Sequence, residues 1–302
     1  MADASPHTVP PSTAAPTAAA TLPLLAAAAA SACFIGMDAT VKLLAHRFDA
    51  LQLTFLRFAA GTLFAVPLWL WFRPALPVRS AWPLHALRCA LLLVALVAYF
   101  HALTLLPLVQ AVAVGYTAPI LISLLAMLVL HERPSRWIWA ALALGAAGVG
   151  VSLWPELSHT DTPGSAQRIE GLLSVALSAL SYSGVVVLAR HQAQRDALWS
   201  ILLVQNLLPT AVLAVPMAWR WQPLLPGDAG PVLLMGLLAT LGLLGITWAF
   251  THVEASRAAP VEYTGFVWAG LLGWLLFGEL PTAWTLASAG LIVGGCLLLI
   301  RR

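Results

Sequence analysis

The chain has 302 residues, 61% of them hydrophobic and only 9% Asp, Glu, Lys or Arg, with a net charge of +3. A water-soluble domain carries about 25% charged residues to wet its surface, so this composition excludes an ordinary soluble fold. The small net charge, with Arg residues scattered at the ends of apolar runs, argues against nucleic acid as a partner. Cys33, Cys89 and Cys296 lie inside apolar runs without paired spacing, which argues against a disulfide framework or a zinc site.

Residues 1–21 are rich in Ala, Pro and Thr and contain no Lys or Arg. A cleavable signal peptide begins with positive charge, so this stretch reads as a disordered tail before an uncleaved first helix. Apolar runs of membrane-crossing length then follow one another, predicting helices at 22–44, 50–72, 83–105, 107–130, 135–154, 169–190, 197–219, 230–251, 258–278 and 282–300. Continuous runs of this kind exclude a β-barrel, whose strands alternate. The fold expected is an all-α polytopic membrane protein with ten transmembrane helices.

Ten spans place both termini on one side. Loops on that side carry Arg73, Arg79, Arg133, Arg136, Arg190, Arg195, Arg257, Arg301 and Arg302, whereas the opposite loops carry only Arg47, Arg168 and Arg220. The positive-inside rule therefore predicts cytoplasmic termini in the bacterial inner membrane. Trp69, Trp71, Trp82, Trp137, Trp139, Trp154, Trp219 and Trp221 crowd the predicted boundaries, where an amphipathic ring sits among headgroups. A polar linker at 155–168 separates the halves 22–154 and 169–302.

Sliding the sequence by 147 residues aligns the two halves. Tyr116-Thr117 falls on Tyr263-Thr264, Glu132 on Glu279, Pro134 on Pro281, Trp137 on Trp284 and Gly148 on Gly295, with 13 identities in the 40 positions from 111 to 150. Matches of Tyr, Glu, Pro and Trp do not arise from Leu and Ala richness, so one unit was duplicated. Each unit holds five spans, an odd number, so the second copy enters the membrane from the opposite side. The expected architecture is two inverted five-helix repeats, the arrangement that lets one chain form inward-open and outward-open packings of similar energy.

The turn His131-Glu132-Arg133-Pro134 and its repeat mate Gly278-Glu279-Leu280-Pro281 resemble the Gly-Glu turn of the EamA-type families in the drug/metabolite transporter superfamily. AAPVEYTGFVWAGLLGWLLFGE at 258–279 and MDATVKLL at 37–44 are similar to the same group, with His131 standing where Gly is usual. The resemblance spans residues 22–300 and implies a ten-helix secondary transporter. Such families include amino-acid exporters and carriers of S-adenosylmethionine and riboflavin.

Charges inside apolar spans are expensive and mark functional sites or structural ion pairs. Asp38 and Lys42, at i and i+4 on the first helix, are read either as a cavity-lining pair or as a structural ion pair. Arg57 and His101 lie at a similar outer depth and extend this to a polar layer; alternatively Arg57 only neutralises Asp38. Glu262 and Arg88 lie near the cytoplasmic side, where Glu262 is suited to accept a substrate amine, carry a coupling proton or pair with Arg88. Tyr99, Gln110, Tyr116, Tyr182, Gln205, Asn206, Trp248, Tyr263 and Trp268 supply aromatic faces and amides suited to a flat or amphipathic metabolite, or to packing between helices. Glu132 and Glu279 read as caps for the helices that follow them. Pro119 predicts a kink in the fourth helix, and Gly145, Gly148, Gly290 and Gly294 predict close helix packing, with a homodimer contact as the other reading of the last two.

The sequence holds no Gly-Lys-Ser/Thr phosphate loop and no nucleophile, base and orienting group at recognisable spacing. The expectation is therefore not an enzyme, without a cofactor or bound metal. It is an inner-membrane exporter of a small polar metabolite, an amino acid or a compound derived from one, working by alternating access. Proton coupling through Glu262 or Asp38 is one option. Uptake of a cofactor-like metabolite and a non-transporting receptor or scaffold are the alternatives.

Overall fold

The structure is a computed structural model that describes residues 18–130, 136–158, 164–193, 196–252 and 264–300. All regular structure among the described residues is helical. Helices α1 (Ala18–Leu44), α2 (Ala50–Phe72), α3 (Trp82–Leu105), α4 (Leu108–Gly115), α5 (Ala118–Leu130) and α6 (Arg136–Ser158) form the first half. The second half holds α7 (Ser165–Ala193), α8 (Leu198–Arg220), α9 (Ala229–His252), α10 (Thr264–Phe277) and α11 (Ala283–Ile300). Six of these are long and apolar enough to cross a membrane, and four shorter apolar helical stretches accompany them. This is a multi-pass membrane protein.

The stretch expected as one helix over 107–130 is two. Pro119 has no N–H, and its ring crowds the carbonyl one turn earlier, so α4 ends at Gly115. The chain turns through Tyr116 and Thr117, whose hydroxyl bonds the carbonyl of Val114 at 2.9 Å, before α5 begins. The expected kink is a full break. α6 continues through Pro155 to Ser158, into the segment from residue 155 expected as linker.

The packing follows the sequence repeat. The most extensive contacts are α1 on α9, α3 on α7 and α6 on α11, followed by α2 on α8. A shift of 147 residues carries α1 onto α7 and α3 onto α9, so the first two interfaces use the same two elements, one taken from each half. In the other two, an element packs on its own copy. The main hydrophobic core forms where α1, α2, α3 and α4 meet α9 and α10, around Leu53, Phe100, Leu103, Leu108 and Met235. Trp71, Trp154 and Trp219 are exposed, as expected for rings facing lipid at a headgroup boundary.

Close approach uses particular glycines. A Cβ at Gly236 on α9 would overlap Ala60 and come within 2.9 Å of the Gly61 nitrogen on α2; at Gly148 on α6 it would meet Ile292 and the Ser288 carbonyl on α11. Gly145 likewise seats Ile120, whereas a Cβ at Gly290 or Gly294 would meet nothing within 4 Å among the described residues. Among the described residues, close approach falls at Gly145, Gly148 and Gly236, and not at Gly290 or Gly294. Because Gly236 faces backbone, which cannot step aside, Gly236→Val is expected to cut the yield of monodisperse protein severalfold, while Gly290→Ala leaves it near wild type. Fluorescence-detected size exclusion of detergent extracts measures both.

Candidate functional site

The site begins at a corner. Pro107 forces the residue before it into extended backbone, so α3 ends and Leu106 adopts φ −116°, ψ 153°. The Leu106 carbonyl and the Leu108 N–H are thereby left without helical partners. Lys42 Nζ donates to the Leu106 carbonyl at 2.5 Å, Glu279 Oε2 accepts from the Leu108 N–H at 2.8 Å, and Lys42 meets Glu279 Oε1 at 2.6 Å. Phe277 lies beneath the ammonium, 5.3 Å from ring centre to Nζ.

Two expectations are corrected here. Lys42 does not pair with Asp38, and Glu279 does not cap the helix after it. Gly278, at φ +67°, ends α10 in a left-handed turn in which the Glu279 N–H returns to the Gly273 carbonyl. The carboxylate reaches into the other half of the chain, while Thr282 caps α11 by accepting from the Thr285 N–H at 3.1 Å.

One turn from Lys42, Asp38 is buried and accepts from the Tyr99 hydroxyl at 3.1 Å; its Oδ1 has no hydrogen-bond partner among the described residues. Arg57 acts on Asp38 through space without forming an ion pair. Its guanidinium donates instead to Asn206 Oδ1 at 3.1 Å and lies 4.4 Å from the Phe58 ring centre. Asn206 is oriented by donating to the Leu202 carbonyl at 2.8 Å. Gly61 makes room for it, since a Cβ there would overlap the Asn206 amide.

Toward the start of α3, Arg88 donates to Gln192 and to Gln205, each at 2.8 Å. Its neighbour His85 meets Asp196 at 3.0 Å. Adjacent residues of α8, Gln205 and Asn206, thus each hold a guanidinium from the first half. Gln110 donates to Ser152 at 3.2 Å, a bond within the first half. Tyr116, at the α4–α5 break, has its hydroxyl where a Cβ of Gly265 on α10 would lie, beside Ser31.

Other expected residues stand apart. His101 meets Glu170 at 2.9 Å on an exposed surface, outside the layer of Asp38 and Arg57. Tyr182, Trp248 and Trp268 are each more than a third exposed. Glu262 and Tyr263, and with them any pairing of Glu262 with Arg88, lie outside the described residues, as does Glu132. Gln192 and the cross-half role of Glu279 had no signal in the sequence, because each contact joins residues remote along the chain.

Buried polar side chains from both halves thus meet inside a multi-pass helical bundle. The profile of the EamA-like transporter family matches residues 21–154 and again 169–301, and the chain belongs to that family. It is a small-molecule transporter of the drug/metabolite type, not an enzyme. It is 31% identical over 283 residues to the pseudopaline exporter of Pseudomonas aeruginosa, covering 92% of this chain and 95% of that one. It is 24% identical over 265 residues to the S-adenosylmethionine uptake transporter of Rickettsia felis, covering 87% of each. A crystal structure of a protein 22% identical in sequence shares the fold with a TM-score of 0.62, covering 95% of this chain and all of that one.

Removing one member of a buried ion pair strands the other. Lys42→Met is expected to destabilise the protein by about 2–3 kcal/mol, and Lys42→Met with Glu279→Gln by clearly less. Thermal melting of purified protein reads the difference; a loss in the double variant equal to the sum of the losses from Lys42→Met and Glu279→Gln alone would mean that Lys42 and Glu279 act independently.

Proposed function

We propose that the chain is a secondary carrier of the bacterial inner membrane that exports a small polar metabolite, an amino acid or a compound derived from one. Counting α4 and α5 as one broken crossing gives ten spans, in inverted repeats over 22–154 and 169–302 joined by the segment 155–168, with both termini in the cytoplasm. Rocking of one repeat against the other alternately opens the polar interior to each side.

The observation that carries this reading is the grip of Gln205 and Asn206 on Arg88 and Arg57. These bonds join the halves that must move relative to each other. They are made by neutral amides, which exchange partners more readily than a buried carboxylate–guanidinium pair does. Asp38 and Tyr99 add an acid and a phenol beside them. This set offers hydrogen bonds and charge to a polar cargo in a place otherwise built of Ala, Leu and Phe.

Export is favoured by the likeness, at 31% identity, to the pseudopaline exporter. A second reading, uptake of a cofactor-like metabolite, is favoured by the relatives named for S-adenosylmethionine uptake. Comparing metabolites inside and outside deletion and overexpressing cells separates the two: an exporter depletes its cargo from overexpressing cells, an importer enriches it.

With the cargo so identified, the purified protein should exchange it across liposomes. Asn206→Leu leaves the Arg57 guanidinium without its hydrogen bond and is expected to lower exchange about tenfold in protein that still runs as a single species. Glu262→Gln should also impair exchange, and wild-type flux in that variant would remove Glu262 from the mechanism.

A further inference from the structure

We infer that the cargo-free protein rests with the seam between α2 and α9 shut and opens more readily at the seam between α3 and α8. That such openings serve transport rests on the carrier reading above; the unequal closure of the two seams does not.

The seams are images of each other. A shift of 147 residues carries α3 onto α9 from end to end, and α2 onto α8 to within one residue. It brings His85, Arg88, Cys89 and Leu92 onto Val232, Met235, Gly236 and Ala239. In an inverted repeat, image seams exchange places: as one closes, the other parts.

At the α2–α9 seam the helices meet through their backbones. A Cβ on Gly236 would lie 2.4 Å from the Ala60 Cβ, 2.7 Å from its carbonyl carbon and 2.9 Å from the Gly61 nitrogen. Val232, Met235 and Ala239 join Leu53, Leu56 and Ala60 in the main core. Arg47, just before α2, holds Asp228, just before α9.

The α3–α8 contact is much less extensive. A narrow crevice runs along it, lined by Arg88, Cys89 and Leu92 from α3 and by Val204, Gln205 and Pro209 from α8. The α3 residues that border this crevice are thus the images of the α9 residues that pack shut. Across the gap, Arg88 donates to Gln205 at 2.8 Å.

Side-chain size accounts for the difference. Gly236 lets backbone approach backbone, whereas its image Cys89 carries a side chain at the same place. Met235 packs as an apolar residue, whereas its image Arg88 spans the gap and must be set aside before α3 and α8 can draw together. A close-packed interface gains dispersion contact that a gapped one lacks, so the packing with α2–α9 shut is the lower in energy. In the proposed topology that seam faces the periplasm and the looser one the cytoplasm. The empty carrier therefore offers its interior to cargo inside the cell.

The test uses purified full-length protein in detergent without cargo, where a small charged thiol reagent reaches both sides. In a background with Cys33, Cys89 and Cys296 replaced by alanine, Leu92→Cys and Ala239→Cys place single thiols at image positions, both buried. With rates scaled to those of the unfolded variants, Leu92→Cys is expected to react about tenfold faster than Ala239→Cys. Adding Gly236→Ala, which wedges α9 away from Ala60, should speed Ala239→Cys severalfold. Cys89→Gly, in place of the alanine, should slow Leu92→Cys, and it decides the matter together with the two single reporters if Gly236→Ala does not fold. Equal rates, a faster Ala239→Cys, or rates unmoved by the added substitutions would overturn the inference. Exchange in liposomes is scored separately. Unequal rates in a protein that carries nothing keep the unequal seams and remove the carrier, whereas exchange with equal rates keeps the carrier and removes the bias.

Discussion

In a membrane interior, a polar group that loses water must find a partner within the protein. The corner between α3 and α4 is where this constraint acts most sharply. Pro107 ends one helix and opens another, leaving a carbonyl and an amide to be satisfied. Lys42 and Glu279 satisfy them together and satisfy each other. The ammonium comes from the first half and the carboxylate from the second, so the repair of a backbone break also ties the halves together. Further polar contacts join the same halves: Arg47 with Asp228, Arg220 with Asp49 at 3.1 Å, and Gln52 with the backbone of Gln222.

The packing repeats between halves, but the buried charges do not. At the 147-residue offset Asp38 falls on Val185, Lys42 on Ala189, Arg57 on Val204 and Arg88 on Met235. An apolar scaffold of two like units can exchange packings of similar energy, whereas polar groups present in only one unit give its interior a direction and a chemistry. Arg57 and Arg88 come from the first half, and the amides that hold them come from the second. A motion between halves therefore changes the surroundings of both guanidiniums.

Much of the helical layout was legible in the sequence because hydropathy is a local property. Residues 50–72 read as a helix and fold as α2, Ala50–Phe72, with Asp49 accepting from the Gln52 N–H at 2.8 Å as its cap. The break at Tyr116-Thr117 was legible only as a kink, since Pro119 signals disruption without saying whether the chain resumes at once. Pairing was not legible. Asp38 and Lys42 share a helix face, and local spacing joins them, yet Tyr99 on α3 and Glu279 in the turn after α10 compete successfully. Glu279 looked like a local cap because its reach depends on the left-handed Gly278, which turns the carboxylate away from the helix that follows. Arg57 and Arg88 were legible as costly charges, while Gln192, which orients one of them, looked like an ordinary polar residue at a helix end.

If the two halves move against each other during transport, as proposed above, the Lys42–Glu279 tie that joins them must open. In a background lacking Cys33, Cys89 and Cys296, Lys42→Cys and Glu279→Cys can be joined by a short reducible bifunctional thiol reagent. Exchange of the identified cargo across liposomes is then measured before bridging, after it and after reduction. The bridge is expected to stop exchange, and reduction to restore it to the level of the unbridged double variant. Undiminished exchange through the bridged protein would contradict that motion.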